Sequence, residues 1–212
     1  MILVTGFEAF GAHKANPSEE LAKTIDGRRI GDHVVRGVVL PVHHGEAAVR
    51  VAALLAELDP DVIVHLGLAD GRARLALERV AVNVMEYSIA DNAGYQALGE
   101  PCAAEGPAAY FATLPVKEIA AALTADGVPA YVSNTAGTYL CNQTLYTTLH
   151  AVTCAGRRTR VGFVHLPLSP AMVAAAGVEL PSMDVPLMLR ALETILRLVA
   201  VEAPRLGRDA EG

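Results

Sequence analysis

No stretch of this chain carries the block or stripe of lysine and arginine that follows a phosphate backbone. Charged residues make up only 19% and the net charge is −6, so nucleic acid is not an expected partner. No apolar segment is long and uninterrupted enough to span a bilayer. The N-terminal Met1-Ile2-Leu3-Val4-Thr5-Gly6 has neither a basic leader nor a small-residue cleavage pattern, and it reads as a first strand. Cysteine is scarce: Cys102, Cys141 and Cys154 are an odd number, widely separated, with no CxxC pairing. That disfavours a structural zinc site and suits a reducing cytoplasm, where the protein is expected to reside. Phosphate-binding glycine motifs are missing as well. Thr5-Gly6-Phe7-Glu8-Ala9-Phe10-Gly11 follows the first strand without GxGxxG spacing, and Gly67-Leu68-Ala69-Asp70-Gly71 is followed by no Walker-type lysine. Neither loop supports a nucleotide. Phe7 and Phe10 suggest an apolar pocket wall, or plain core packing.

Apolar residues, at 52%, are ample for a sizeable core, and 212 residues fit one domain over 1–212. Strand-like runs at 2–5, 34–41, 62–66, 75–84, 130–133 and 161–166 alternate with helical patterns at 17–25, 45–58, 116–125, 138–153 and 185–201. This alternation predicts an α/β sheet with helices on its faces, and the continuous Val/Ile/Leu runs predict strands covered on both sides. Asn16-Pro17-Ser18-Glu19 opens the first helix with a capping asparagine, a proline at N1 and an acid at N3. Residues 88–107, rich in Gly, Pro and Asn, read as a long loop, of a length often functional in compact domains, and 204–212 as a frayed tail.

The most pointed segment is Ser133-Asn134-Thr135-Ala136-Gly137-Thr138-Tyr139-Leu140-Cys141-Asn142, a small-residue turn between a strand and a helix. It delivers Cys141 into the first helical turn, where unpaired N–H groups and the helix dipole favour a thiolate and could stabilise an oxyanion. The alternative is a small buried packing residue. A nucleophile needs a histidine, and the histidine needs an orienting group. His165, His65 and the His43-His44 pair all sit at strand ends, where functional groups of open α/β sheets collect. Their order in the chain does not separate them. His13, His33 and His150 read as surface or packing residues. For the orienting acid, alternation within 75–84 places Glu78 on one face with Val80, Val82 and Val84. A carboxylate on an apolar face needs a partner, either an imidazolium or an arginine such as Arg72 or Arg74. Asp91 is a second acid that either supports the same histidine or forms an Asp-Asn turn.

Together these residues resemble the type I pyroglutamyl peptidases across nearly the whole chain. Four segments carry the resemblance: Val4 to Gly11 with Asn16-Pro17-Ser18; Gly71-Arg72 through Leu77-Glu78-Arg79-Val80-Ala81-Val82-Asn83; Ser133 to Asn142; and Phe163-Val164-His165-Leu166-Pro167. The resemblance implies a three-layer α/β/α globule with an open twisted, largely parallel sheet, often a homotetramer, and removal of N-terminal pyroglutamate from peptides without metal or organic cofactor. It implies a Cys141–His165–Glu78 triad, with Phe7 and Phe10 sandwiching the lactam ring and Asn16 beside it. Two positions depart from the family pattern. Ser88 stands where relatives carry an arginine, and Leu68 where many carry glutamine. Both point to altered rate or specificity, unless Arg72 or Arg79 makes up the missing charge. A cysteine amidase for another small acyl group, or a pyroglutamyl-binding relative without turnover, are the alternatives. Cys102 has no assigned role, and Cys154 is expected to be structural.

Overall fold

Seven strands form the central sheet of this computed structural model, which describes residues 1–201, and their order is β10-β5-β11-β4-β1-β3-β2. In chain order the elements are β1 (Ile2–Phe7), α1 (Pro17–Ile25), β2 (Arg29–Ile30), β3 (His33–Leu40), α2 (His44–Leu58), β4 (Val62–Leu68), β5 (Leu75–Glu78), β6 (Val80–Val82), β7 (Met85–Glu86), β8 (Leu98–Glu100) and β9 (Ala109–Phe111). There follow α3 (Val116–Ala125), β10 (Ala130–Ser133), α4 (Leu140–Cys154), β11 (Arg160–Leu166), α5 (Pro170–Ala176) and α6 (Val185–Val201). The pairs β1–β3, β1–β4, β4–β11 and β5–β10 are parallel, whereas β5–β11 and β2–β3 are antiparallel. The predicted frayed tail lies outside the described residues.

Alternation along the strands divides the core into two layers. Ile2, Val4, Val62, Val64, Leu75, Leu77, Val164 and Leu166 pack with α1, α3 and α6 through Leu21, Ile25, Ile119, Leu123, Leu192 and Ile195. Leu3, Ile63 and Phe163 face the other way, onto α2 and α4 through Val51, Leu54, Leu145, Tyr146 and Leu149. This second layer carries the chemistry, because Glu78 and His165 share the parity of Phe163 rather than that of Leu77 and Val164. Asn16 caps α1 as expected: its side chain accepts the Ser18 N–H at 3.0 Å, with Pro17 in the first turn.

One predicted strand is two. The run 75–84 breaks at Arg79: β5 belongs to the central sheet, while β6 pairs with β9 in a separate two-stranded sheet. Glu78 therefore does not share a face with Val80, Val82 and Val84. It is buried because all four residues of β5 lie between the helical layers, whereas in β6 it is Ala81 that is buried and Val80 and Val82 are half-exposed. The segment 88–107 contains β8, paired with β7, and α5 was not legible as a helix because its Pro-Ala-Met-Val-Ala-Ala-Ala sequence buries no residue. No helix among the described residues is long and apolar enough to cross a membrane.

Candidate active site

Cys141 enters from α4, whose N-cap residue, Tyr139, makes no side-chain capping bond. The first-turn N–H groups of that helix are thus left for another acceptor. Two residues of β4 and β11 set where the thiol lies. His165 is register partner to Gly67 across the parallel pair, and a Cβ built on Gly67 would come within 2.9 Å of Cys141 Sγ and 2.7 Å of Phe163 Cζ. Only glycine leaves room there for the thiol, which rests over the strand position next to His165.

Glu78 stands opposite Phe163 in the antiparallel β5–β11 pair, two residues from the position opposite His165 and on the same face. Its side chain reaches back along that diagonal. The His165 Nδ1–H donates to Glu78 Oε1 at 2.7 Å, with histidine 4% and glutamate 0% exposed. Holding the proton on Nδ1 leaves Nε2 as the acceptor of the ring. Arg72 Nη1 donates to the same Oε1 at 2.9 Å, so the two partners weighed for this acid, an imidazole and an arginine, are both present.

A cavity of ≈540 Å³ opens onto this arrangement and is lined by both Cys141 and His165. Phe7, Phe10, Asn16, Leu68, Ser88 and Tyr139 share its wall. Phe10 and Tyr139 rings lie 6.0 Å apart, and Tyr139 packs edge-on to Tyr87 at 4.6 Å. Asn16 Nδ2 donates to Glu8 O at 3.0 Å, which fixes the amide at the cavity edge. Leu68 is buried and Ser88 exposed at the rim.

A family model described as pyroglutamyl peptidase matches residues 1–202. Pyrrolidone-carboxylate peptidase of Pyrococcus furiosus is 42% identical over 204 residues, covering 95% of this chain and 98% of its own length. The enzyme of that name from Cupriavidus pinatubonensis is 46% identical over 203 residues, covering 95% and 94%. The X-ray structure of the Pyrococcus furiosus pyrrolidone carboxyl peptidase superposes with a TM-score of 0.93 at 41% identity, covering 95% of this chain and 99% of that one. The chain belongs to the pyroglutamyl peptidase family.

Electrostatics in this family member differ from those expected of a thiol at a helix start. Cys141 is half-buried at its surface but closely enclosed, and burial, reinforced by the Glu78 charge, pushes its thiol up to about 12. Arg72 and the cysteine's own N–H pull the other way without prevailing. Burial also lowers His165, against the opposing pull of Glu78. Both directions favour the uncharged forms, a thiol on Cys141 and an imidazole on His165.

The remaining histidines and acids have other work. His65 is fully buried between the Thr5 hydroxyl at 2.7 Å on Nδ1 and the Thr148 hydroxyl at 3.1 Å on Nε2, joining β1 and β4 to α4. Because Thr148 spends its proton on Thr144 O, His65 Nε2–H donates to it and Thr5 donates to Nδ1. His43 caps α2, accepting from Gly45 and Glu46 N–H. Asp91 does not support His165; that expectation is corrected. Its carboxylate accepts from His44 N and Nδ1, Ala93 N and Tyr95 N at 2.9–3.1 Å. Burial opposes its charge, yet the His44 and Tyr95 hydrogen bonds hold it down at about 2. Asp91 and the Asn92 side chain, which donates to Glu8 Oε1 and Ala9 O, tie the 88–107 loop to the cavity edge. Among the described residues His43, His44 and Asp91 are the one metal-ligating group close enough to share an ion. His43 Nδ1 accepts from Gly45 and Glu46 N–H, His44 Nδ1 bonds Asp91, and the two imidazoles are stacked at 11°.

Asn142 was not singled out from sequence. Fully buried, it donates to Val82 O and Val84 O and accepts from Val82 N at 2.9–3.0 Å, fastening the Cys141 turn to β6. Arg79 Nε donates to Asn134 Oδ1 and does not line the cavity. Cys102 is half-buried, its thiol pushed up to about 11 by burial, and Cys154 is exposed beside His150 rather than enclosed as a structural residue.

Burial depresses His65 from 6.5 to about 3, so the unfolded chain binds more protons than the folded one between those values. Stability is therefore complete above pH 6.5 and is lost as pH falls through this window, with a limiting slope of about 1.4 kcal/mol per pH unit for one proton. His165 contributes in the same direction. Urea midpoints at pH 7 and pH 5 are expected to show this loss, with a shallower slope in His65→Asn; equal slopes would mean that His65 is not buried in its neutral form.

Proposed function

We propose that this protein removes N-terminal pyroglutamate from peptides by way of an acyl-enzyme on Cys141. The observation that carries the reading is the 2.7 Å bond from His165 Nδ1 to a buried Glu78, in a cavity that Cys141 also lines. His165 Nε2 takes the Sγ proton as Sγ attacks the pyroglutamyl carbonyl carbon, and the oxyanion is met by the uncapped N–H groups at the start of α4. On collapse the C–N bond breaks and His165 returns the proton to the leaving amine. Water then attacks the thioester, giving its proton to His165; the C–S bond breaks, pyroglutamate leaves and the thiol is restored.

A lactam offers no charge to grip, which suits walls of Phe7, Phe10 and Tyr139 with Asn16 as a polar contact. The reaction calls on no metal or organic cofactor. By resemblance to its family the protein is a cytoplasmic homotetramer acting on pyroglutamyl peptides.

The test is a panel of aminomethylcoumarin amides. Pyroglutamyl amide is expected to be cleaved best. Preference for another small acyl group would favour a different cysteine amidase, and saturable pyroglutamate binding without product would favour a non-catalytic relative.

Ser88 bears on rate. Among the described residues no lysine or arginine lines the cavity, and Ser88 occupies its rim where the family resemblance calls for arginine. Ser88→Arg is expected to raise kcat, by up to the roughly 10²–10³ that one oxyanion donor supplies elsewhere. No gain in a steady-state assay would mean that the site is organised without that charge.

A further inference from the structure

Glu78 Oε1 is shared. His165 reaches it from β11 at 2.7 Å and Arg72 from the turn after β4 at 2.9 Å, while Oε2 has no hydrogen-bond partner among the described residues. Two donors thus converge on one oxygen of a carboxylate with no exposed side-chain surface. Arg72 is itself anchored. Its Nη1 also donates to the Tyr131 hydroxyl at 3.2 Å, and the Tyr131 ring lies under the Arg74 guanidinium, 4.4 Å from its centroid. Tyr131 stands beside Ala76 across the β5–β10 pair, and Gly71, at φ +75°, supplies the left-handed turn that precedes Arg72. The charged and titratable groups that act on Glu78 come from three elements: His165 on β11, Arg72 after β4, and Cys141 on α4. Arg79, next in the chain, is engaged with Asn134.

We propose that Arg72 is a positioning residue of the triad, holding Glu78 Oε1 on His165 and balancing the carboxylate's charge, and so setting the balance of charge at the Cys141–His165 pair. The inference rests on the triad reading above. Without Arg72 the imidazole is the one remaining partner of that carboxylate among the described residues, and its Oε1 is no longer held in line with His165 Nδ1. With Arg72 in place the carboxylate is already neutralised, so it orients the imidazole without turning it into a permanent imidazolium. His165 then remains able to accept the thiol proton, and the field of Arg72 favours the nascent thiolate.

The experiment uses the full chain with Cys154→Ser, which removes the exposed thiol. Arg72→Met and Arg72→Lys are compared by the pH profile of Cys141 alkylation with iodoacetamide and by kcat and KM on pyroglutamyl aminomethylcoumarin. Arg72→Met is expected to move the alkylation profile up by about one pH unit, the lower end of what a nearby opposite charge does. Its kcat should fall about 10–100-fold with KM changed by less than about twofold, because only acid–base positioning is lost. Arg72→Lys should restore most of both. In a Glu78→Gln background, Arg72→Met should cost less than about twofold more, since its effect passes through that carboxylate.

An unshifted alkylation profile, or losses that multiply with those of Glu78→Gln, would overturn the proposal. Should Arg72→Met not fold, Arg72→Lys decides: a profile like that of the parent supports the role of charge, and one displaced by about a unit or more overturns it. If the parent cleaves no pyroglutamyl amide, the reading of function fails while the alkylation profiles still decide the role of Arg72.

Discussion

Cys141→Ala is expected to abolish release of aminomethylcoumarin from pyroglutamyl aminomethylcoumarin, with a loss of about 10⁶-fold of the kind seen when a triad nucleophile is removed. The reason is covalent. Alanine keeps the cavity, its aromatic walls and the start of α4, but leaves no atom to form the acyl-enzyme. The neighbouring thiols do not substitute. Neither Cys102 nor Cys154 lines the cavity, and the former is half-buried with its thiol raised to about 11. Cys154→Ser should accordingly retain the parental rate. Pyroglutamate binding should survive in Cys141→Ala, because the ring contacts assigned to Phe7, Phe10 and Asn16 do not involve the sulfur. Equal turnover by Cys141→Ala and the parent would remove the thiol from the mechanism and with it the proposed chemistry.

The second large effect is expected at Glu78. Glu78→Gln preserves volume at a fully buried position but removes the charge that stabilises the imidazolium formed during attack. If the amide presents its NH₂ to His165, the imidazole must accept at Nδ1, and Nε2 then carries the proton and is no longer a base. Losing the orienting carboxylate of a triad costs up to about 10⁴-fold in kcat, so a fall of about 10²–10⁴ is expected, with KM little altered. Steady-state kinetics on the amide substrate check this directly. A rate within about threefold of the parent would mean that the 2.7 Å contact holds structure and not reactivity. Folding must be followed in parallel, because Arg72 would lose its charged partner within a partly buried pair.

Much of the fold was legible because its signals are local. Helices α1, α3 and α6 and strand β10 fall on the predicted residues, and the other long elements differ by a residue or two at their ends. Asn16-Pro17 announces α1 by capping chemistry that needs nothing from the rest of the chain. Cys141 before a helix, and His165 near the end of an apolar strand, were visible for the same reason. What failed depended on distant partners. Alternation treated 75–84 as one ribbon, yet the chain leaves the central sheet at Arg79 because β5 pairs with β10 and β11 whereas β6 pairs with β9. The short strands β7, β8 and β9 carry too few residues to show a period, and they exist through pairing alone. Asp91 was equally unreadable: which histidine an acid meets is a matter of loop placement, and the loop brings it to His44.

By itself the sequence determined the local proposals: a cysteine carried into a helix, an acid in an apolar run, seven histidines of which several end strands, and the family resemblance that ranked them. Three-dimensional packing decided which of these meet. His65 and His165 look alike along the chain, but one is enclosed between Thr5 and Thr148 while the other faces Glu78. Packing also acts on the charge of Cys141. A helix start favours a thiolate wherever it stands, but desolvation depends on every atom around the sulfur, and here burial pushes the thiol up. Charge state is a property of the surroundings, and the surroundings exist only once the chain has folded.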